Sequence, residues 1–290
     1  MGTLMLEIGG RRFDGGNGGR QWIAKGGLDD WWDGAEPTYE EQADPSGDGA
    51  YDPVTVNVGP RRVNIKLIID ASSPAWASNK DRAWAAALAK KTDVGFRVYE
   101  SGVGWRSLRS AKIRGVPKVR PHPDDLRLTI IDATIWSADP RKYGTWESID
   151  IDAIASEEGG LVTPLAAPRG LSFGTTGDFI FPGVFRLRNP GTADYFPIFS
   201  VRGPIGGFSI NSGTEGITFD GEIPRGKQLI LSPYAGGRAV LDGVDMSHLL
   251  TRADWLTVDG EQERGFVFSP VNPGGGAQLT INYPPDGAYW

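Results

Sequence analysis

Val184-Phe185-Arg186-Leu187-Arg188-Asn189-Pro190-Gly191 runs on through Ala193-Asp194-Tyr195-Phe196-Pro197-Ile198 to Gly203-Pro204. It alternates apolar with polar side chains and breaks at turn formers. Period two marks a half-buried strand, because successive side chains leave opposite faces of a sheet. Proline and glycine end such runs, the first by removing a ladder donor and the second by admitting turn geometry. The pattern continues to the C-terminus, with Phe208/Ile210, Ile217/Phe219, Leu229/Leu231, Phe266/Phe268 and Leu279/Ile281/Tyr283 each two apart. Short strands recurring roughly every 8–16 residues with turns between predict a sandwich or barrel. Phe199, Ile210, Phe219 and Leu231 are its expected core positions.

The bulk composition agrees. A chain of 290 residues can bury the cores of two ordinary domains. With 41 Gly and 21 Pro it is turn-rich, while 39% hydrophobic residues and ten Trp suffice for packed interiors. Cysteine is absent, which removes disulfides and thiolate metal sites and suits assembly in a reducing cytoplasm. The net charge of −6 argues against specific nucleic-acid binding, although Arg106 to Arg120 is locally basic. No apolar run reaches the ~20 residues that span a bilayer, so no membrane insertion is expected. The N-terminus has no basic-then-apolar leader pattern.

In the N-terminal half, Leu4, Leu6 and Ile8 form one period-two strand, followed by the glycine-rich turn Asp14 to Gly19 and a second strand at Gln21 to Lys25. Gly26 to Asp52 is a long polar connection carrying Trp31, Trp32, Tyr39 and Tyr51. Loops of that length in compact domains are commonly functional, and aromatic side chains supply contact area at interfaces. These four are therefore the candidate assembly-interface residues, the alternative being that they pack the loop onto its own domain. Val54 to Val58 and Val63 to Ile69, joined by Gly59-Pro60, read as a hairpin with Arg62, Asn64 and Lys66 on its polar face. One helix is expected over Asn79 to Lys91, started at Ser73-Pro74 or Ser78, with Trp84, Ala87 and Leu88 on one side. Further strands are expected at Gly95 to Glu100, Gly104 to Ile113 and Leu126 to Trp136. Asp139-Pro140 ends the last of these. The predicted division is thus residues 1–139, a linker and lead-in region at 140–182, and a C-terminal domain at 183–290.

Catalytic chemistry finds little support. The two histidines, His122 and His248, lie in no metal-ligand spacing. There is no nucleophile elbow, no phosphate loop and no cysteine nucleophile. Asp44-Pro45-Ser46-Gly47-Asp48-Gly49 copies the first half of a calcium loop, but position twelve is Thr55, and a tight turn explains the run better. No catalytic residue, metal ligand or cofactor site is assigned, and the chain is read as a non-enzyme.

The order of these elements resembles the distal tail (minor tail) proteins of long-tailed siphophages. In that family an N-P-G…P…G-P strand pair precedes a G…G pair, an L-x-L/I-D strand, a Trp-containing segment and a final strand pair. Here the matching pieces are Asn189-Pro190-Gly191 to Gly203-Pro204, Phe208 to Phe219, Arg238 to Asp242 and the strands that follow. In the first half, Asp33-Gly34…Pro37, Gly49-Ala50-Tyr51-Asp52, one helix and further strands also fit. The resemblance implies an all-β protein with one helix, made of an N-terminal β-sandwich (belt) and a C-terminal galectin-like β-sandwich. It implies a structural virion protein at the distal end of the phage tail, assembled in the host cytoplasm as a homo-hexameric ring. Implied partners are the tail tube protein, the tail tip or baseplate hub, the tape measure protein, and fibres or receptor-binding proteins, with a cell-surface glycan as a further one. The alternative reading is a carbohydrate-binding β-sandwich protein or accessory module.

Overall fold

The computed structural model describes residues 4–15, 20–38, 57–70, 74–153 and 183–290, the side chains of 74–80 and 235 excepted. The chain divides into two compact units, one of Met1–Thr145 with Ala288–Trp290 and the other of Trp146–Gly287. It is nearly all β with one helix, as expected.

In the first unit a single ten-stranded sheet runs Ala288–Tyr289, Lys142–Tyr143, Gly104–Leu108, Phe96–Glu100, Leu4–Ile8, Arg11–Asp14, Gln21–Ile23, Arg61–Asp70, Leu128–Ser137, Lys112–Pro121. The expected sandwich is built by this one continuous sheet, whose apolar side chains meet in one core. Period two sets the burial: Val63, Ile65, Leu67 and Ile69 face inward on the Arg61–Asp70 strand, and Leu6 and Ile8 do so on Leu4–Ile8. The helix spans Pro74–Ala89, with proline in its first turn where no backbone donor is needed. Leu88 lies in the core and Trp84 packs against it.

Two expectations in this half change. Asn57–Val58 pairs with Pro37–Thr38 rather than with Arg61–Asp70, so the Gly59-Pro60 hairpin does not form among the described residues. The predicted strand from Gly104 to Ile113 is two strands, broken where Ser110 takes a left-handed φ of 51°.

The second unit is a two-sheet sandwich. One sheet orders Glu147–Asp152, Gln278–Tyr283, Ile198–Arg202, Gln228–Ser232, Arg238–Leu241, Val244–Asp245, and the other Val184–Arg188, Glu263–Val271, Gly207–Ser212, Glu215–Phe219, Leu250–Ala253. Phe199, Ile210, Phe219 and Leu231 are all buried, as the alternation requires. Phe185 stacks on Phe266 with ring centroids 5.1 Å apart, and Phe208 on Phe219 at 5.7 Å. The Asn189-Pro190-Gly191 turn is held from within. Buried Asn189 donates Nδ2 to the carbonyls of Ala193 (2.8 Å) and Val258 (3.0 Å) and accepts the Gly191 amide at 3.0 Å. Gly287 passes so close that a Cβ there would collide with the Gly191 amide, and its φ of 82° also favours glycine.

The unit boundary therefore falls between Thr145 and Trp146 rather than after Asp139. The region read as a linker contributes Lys142–Tyr143 to the first unit and Glu147–Asp152 to the second, and residues 154–182 lie outside the described set. The chain also returns to the first unit at its end, where Ala288–Tyr289 pairs with Lys142–Tyr143.

Candidate assembly surface

Of the four aromatic candidates, Trp31 and Trp32 are described, while Tyr39 and Tyr51 fall outside the described residues. The loop near Trp31 does not run extended. Asp29–Trp31 forms one 3₁₀ turn, closed by the Trp31 amide on the Leu28 carbonyl and the Trp32 amide on Asp29. A turn does not throw neighbouring side chains to opposite sides, so both indoles reach one acceptor. Trp31 donates Nε1 to Glu100 Oε1 at 2.7 Å and Trp32 donates to Oε2 at 3.4 Å. Trp31 is fully buried against Phe96, with ring centroids 5.8 Å apart. It is a core residue, not a surface one, which corrects its assignment as an interface candidate. Trp32 is 51% exposed and keeps a face for a partner.

Beneath this turn lies a buried charged group that the sequence does not signal, because its members come from distant strands. Arg61 is 1% exposed and donates Nη1 to the Asp33 carbonyl and Nε to the Pro140 carbonyl, both at 2.6 Å. Burial pushes its guanidinium below the ordinary arginine range, and Asp33 opposes that shift. Lys142 sits over the Trp31 ring at 5.0 Å. Burial and then the neighbouring Arg61 lower its ammonium to about 8, against the pull of Glu100 and Asp33. Two cations beside one loop hold its start against the sheet.

The basic run from Arg106 divides. Arg106 is buried and stacks over Tyr289 at 4.4 Å, whereas Lys112, Arg114, Lys118 and Arg120 project from the exposed outermost strand. Cross-strand register joins them to the polar face noted on Arg61–Asp70: Arg114 opposes Thr134, which opposes Asn64, and Lys118 opposes Asp132, which opposes Lys66. Asp30 fixes this face beside the turn, accepting both the backbone amide (2.9 Å) and Nδ2 (2.8 Å) of Asn64.

His122 accepts the Asp124 amide at 3.2 Å through Nδ1, and His248 lies in the Ser247–Leu249 turn. Among the described residues no cluster of three His, Cys, Asp or Glu could hold a metal ion. The Asp44 to Gly49 run lies outside them. In the second unit burial raises the Tyr195 phenol well above its ordinary range, as expected of a core hydroxyl.

No protein-family model matches the chain, and no curated protein sequence matches it. Solved structures do. The chain is similar to the Dit protein (gp 19.1) of phage SPP1, described as a paradigm of the hub adsorption apparatus in phages infecting Gram-positive bacteria. The TM-score is 0.58 at 10% identity, covering 99% of both chains. Chains of the phage P2 baseplate in its activated conformation, with Ca and with Sr, match with TM-scores of 0.50 and 0.51. Each is 10% identical and covers 99% of both chains. The fold of phage distal-tail and baseplate chains thus extends through both units.

Proposed function

We propose that this chain is a structural protein of a phage tail tip, the counterpart of a distal tail protein. The single observation carrying the reading is that one solved hub protein matches 99% of the chain end to end, both units in order. A shared sandwich alone would leave function open, since such folds serve many activities. A match that runs through both units is narrower than one sandwich in common.

In this reading the first unit forms a homo-hexameric belt at the distal end of the tail, and the second projects as a platform. The belt joins the tail tube to the baseplate hub and meets the tape measure protein, while the platform carries fibres or receptor-binding proteins. Its work is mechanical, passing symmetry from tube to tip, and a closed heterologous ring suits a part that stacks between other rings. The protein turns over no substrate and resides in the virion after assembly in the host cytoplasm. Negative-stain microscopy with native mass measurement of the purified chain tests this. Six-membered rings are expected; a chain that stays monomeric at high concentration and also fails to join tube protein would refute it.

A further inference from the structure

We propose that the cationic face of the ten-stranded sheet is the seat for a second copy of this chain, which docks there through the acidic ridge Asp29 to Glu36. This rests on the ring reading and names the surfaces that meet.

Six cations share one side of three adjacent strands: Arg62 and Lys66 on Arg61–Asp70, and Lys112, Arg114, Lys118 and Arg120 on Lys112–Pro121. Asp132 is the one carboxylate that faces them from the strand between, and Arg120 takes it at 2.8 Å. Among the described residues the other five cations have no ion pair. A concentration of unpaired positive charge is unusual on a chain of net charge −6.

The face is also shaped. Between the pairs Arg114/Thr134 and Lys118/Asp132 the outer strand has three residues, Gly115, Val116 and Pro117, where its neighbour has only Ala133. A bulge bends the edge of a sheet, and beside this one lies a cleft of about 350 Å³ whose lining includes Lys66, Arg114, Val116, Lys118, Asp132 and Thr134. Val116, 88% exposed, stands at its rim as an apolar contact. Proline at 117 and 121 keeps the edge from pairing indiscriminately with any strand, so charge rather than ladder hydrogen bonds selects what docks.

The complementary surface lies in the same unit. Asp29, Asp33 and Glu36 are exposed around exposed Trp32. From Leu28 to Thr38 the sequence has four acidic residues and no Lys or Arg. Asp30 is already committed to Asn64 and Asp33 acts on Arg61 and Lys142, which leaves Asp29 and Glu36 to reach a neighbour. An exposed indole on an acidic segment, against a cleft with three cations and the exposed Val116 in its lining, matches the anchor-and-rim composition of protein interfaces. A nucleic-acid phosphate could satisfy the same cations. Each neutralised phosphate adds to a salt-dependent grip, however, and a grip opposes free passage of DNA through a tail.

The test uses the full chain. Light scattering after size exclusion should give fewer assembled particles at 0.5 M than at 0.05 M NaCl, because screening removes most attraction between exposed charges. R114E/K118E and D29K/E36K should each lower the association constant at least tenfold while keeping the wild-type melting temperature. Mixing the two should restore association by re-pairing opposite charges. Assembly that ignores both salt and the two variants overturns this inference and leaves the ring intact. A wild-type chain that never assembles overturns the ring reading and this inference with it. A DNA duplex retarded by the wild type but not by R114E/K118E, with assembly unchanged in that variant, assigns the face to phosphate instead. Should either double variant fail to fold, K118E alone and the wild-type salt series decide by the same criteria.

Discussion

Replacing Trp31 separates core from surface within two adjacent tryptophans. Trp31 is fully buried, rests on Phe96 and donates to Glu100 at 2.7 Å. Truncating a buried Trp to Ala costs about 3–5 kcal/mol through lost transfer energy and the cavity left behind. The hydrogen bond to a carboxylate adds to this, but Glu100 is half-buried and water can replace the indole, so the total stays near ~4–5 kcal/mol. Trp31→Phe keeps a ring against Phe96 and drops the N–H, for about 1–2 kcal/mol. Trp32→Ser removes a half-exposed indole with a long 3.4 Å bond, for less than ~1 kcal/mol. For a unit of this size, about 2–4 °C per kcal/mol puts Trp31→Ala roughly 10–15 °C below wild type. Far-UV circular dichroism during thermal and urea unfolding of the full chain reads these without depending on the lost fluorophore. The reasoning fails if Trp31→Ala costs under ~1 kcal/mol, or if Trp32→Ser costs as much as Trp31→Ala. Trp32→Ser should instead weaken self-association.

In the second unit, Phe199, Ile210, Phe219 and Leu231 are each buried, and changing any one to Ala should lower unfolding free energy by about 2–5 kcal/mol in urea titration. Asn189→Ala strips partners from two carbonyls and one amide in a dry site, and a cost of at least ~3 kcal/mol is expected; a near-neutral result would mean the turn is held by other contacts. Lys142 titrates near 8 when folded and 10.5 when unfolded. The unfolded chain therefore binds more protons between those values, and this residue makes stability rise with pH across that window. Lys142→Met should be more stable at pH 7 and lose that rise; identical pH profiles for the two proteins would refute the burial of this ammonium. Zymography on bacterial cell walls should give no clearing, and a band abolished by replacing one carboxylate would overturn the non-enzymatic reading.

What the sequence made legible is what short-range physics determines. Alternation gave the inward set of the second unit, because a one-residue slip there would put Phe199 and Leu231 in water. It also gave the inward row from Val63 to Ile69. Four features escaped for identifiable reasons. Lys142–Tyr143 is two residues long, too short for any period to register, and it exists only because the distant Ala288–Tyr289 pairs with it. Glu147–Asp152 does alternate, Ile149 and Ile151 facing Ile281 and Leu279, but its four acidic and polar residues read as linker composition. Trp31 reads as an interface candidate because a polar loop carries it; its burial depends on Phe96 and Glu100 from a strand distant in sequence, which no local pattern signals. The Arg61 group was illegible in principle, since Asp33, Pro140 and Lys142 join it only through the sheet.

At 10% identity over 99% of the chain, nine residues in ten differ from those of the hub protein it matches. The fold tolerates this because its requirements are coarse. Any apolar residue of suitable volume can serve at most inward positions, provided neighbours repack. Residue identity is restricted at far fewer places, such as Asn189 with its three internal bonds and Gly287 against the Gly191 amide. The outward face of the ten-stranded sheet carries no such restriction from folding. Six cations gather there on two of three adjacent strands, and the five without an ion pair among the described residues repel one another. Charges that folding does not need, placed where folding would disperse them, find their physical reason in what the face touches rather than in the chain that carries it.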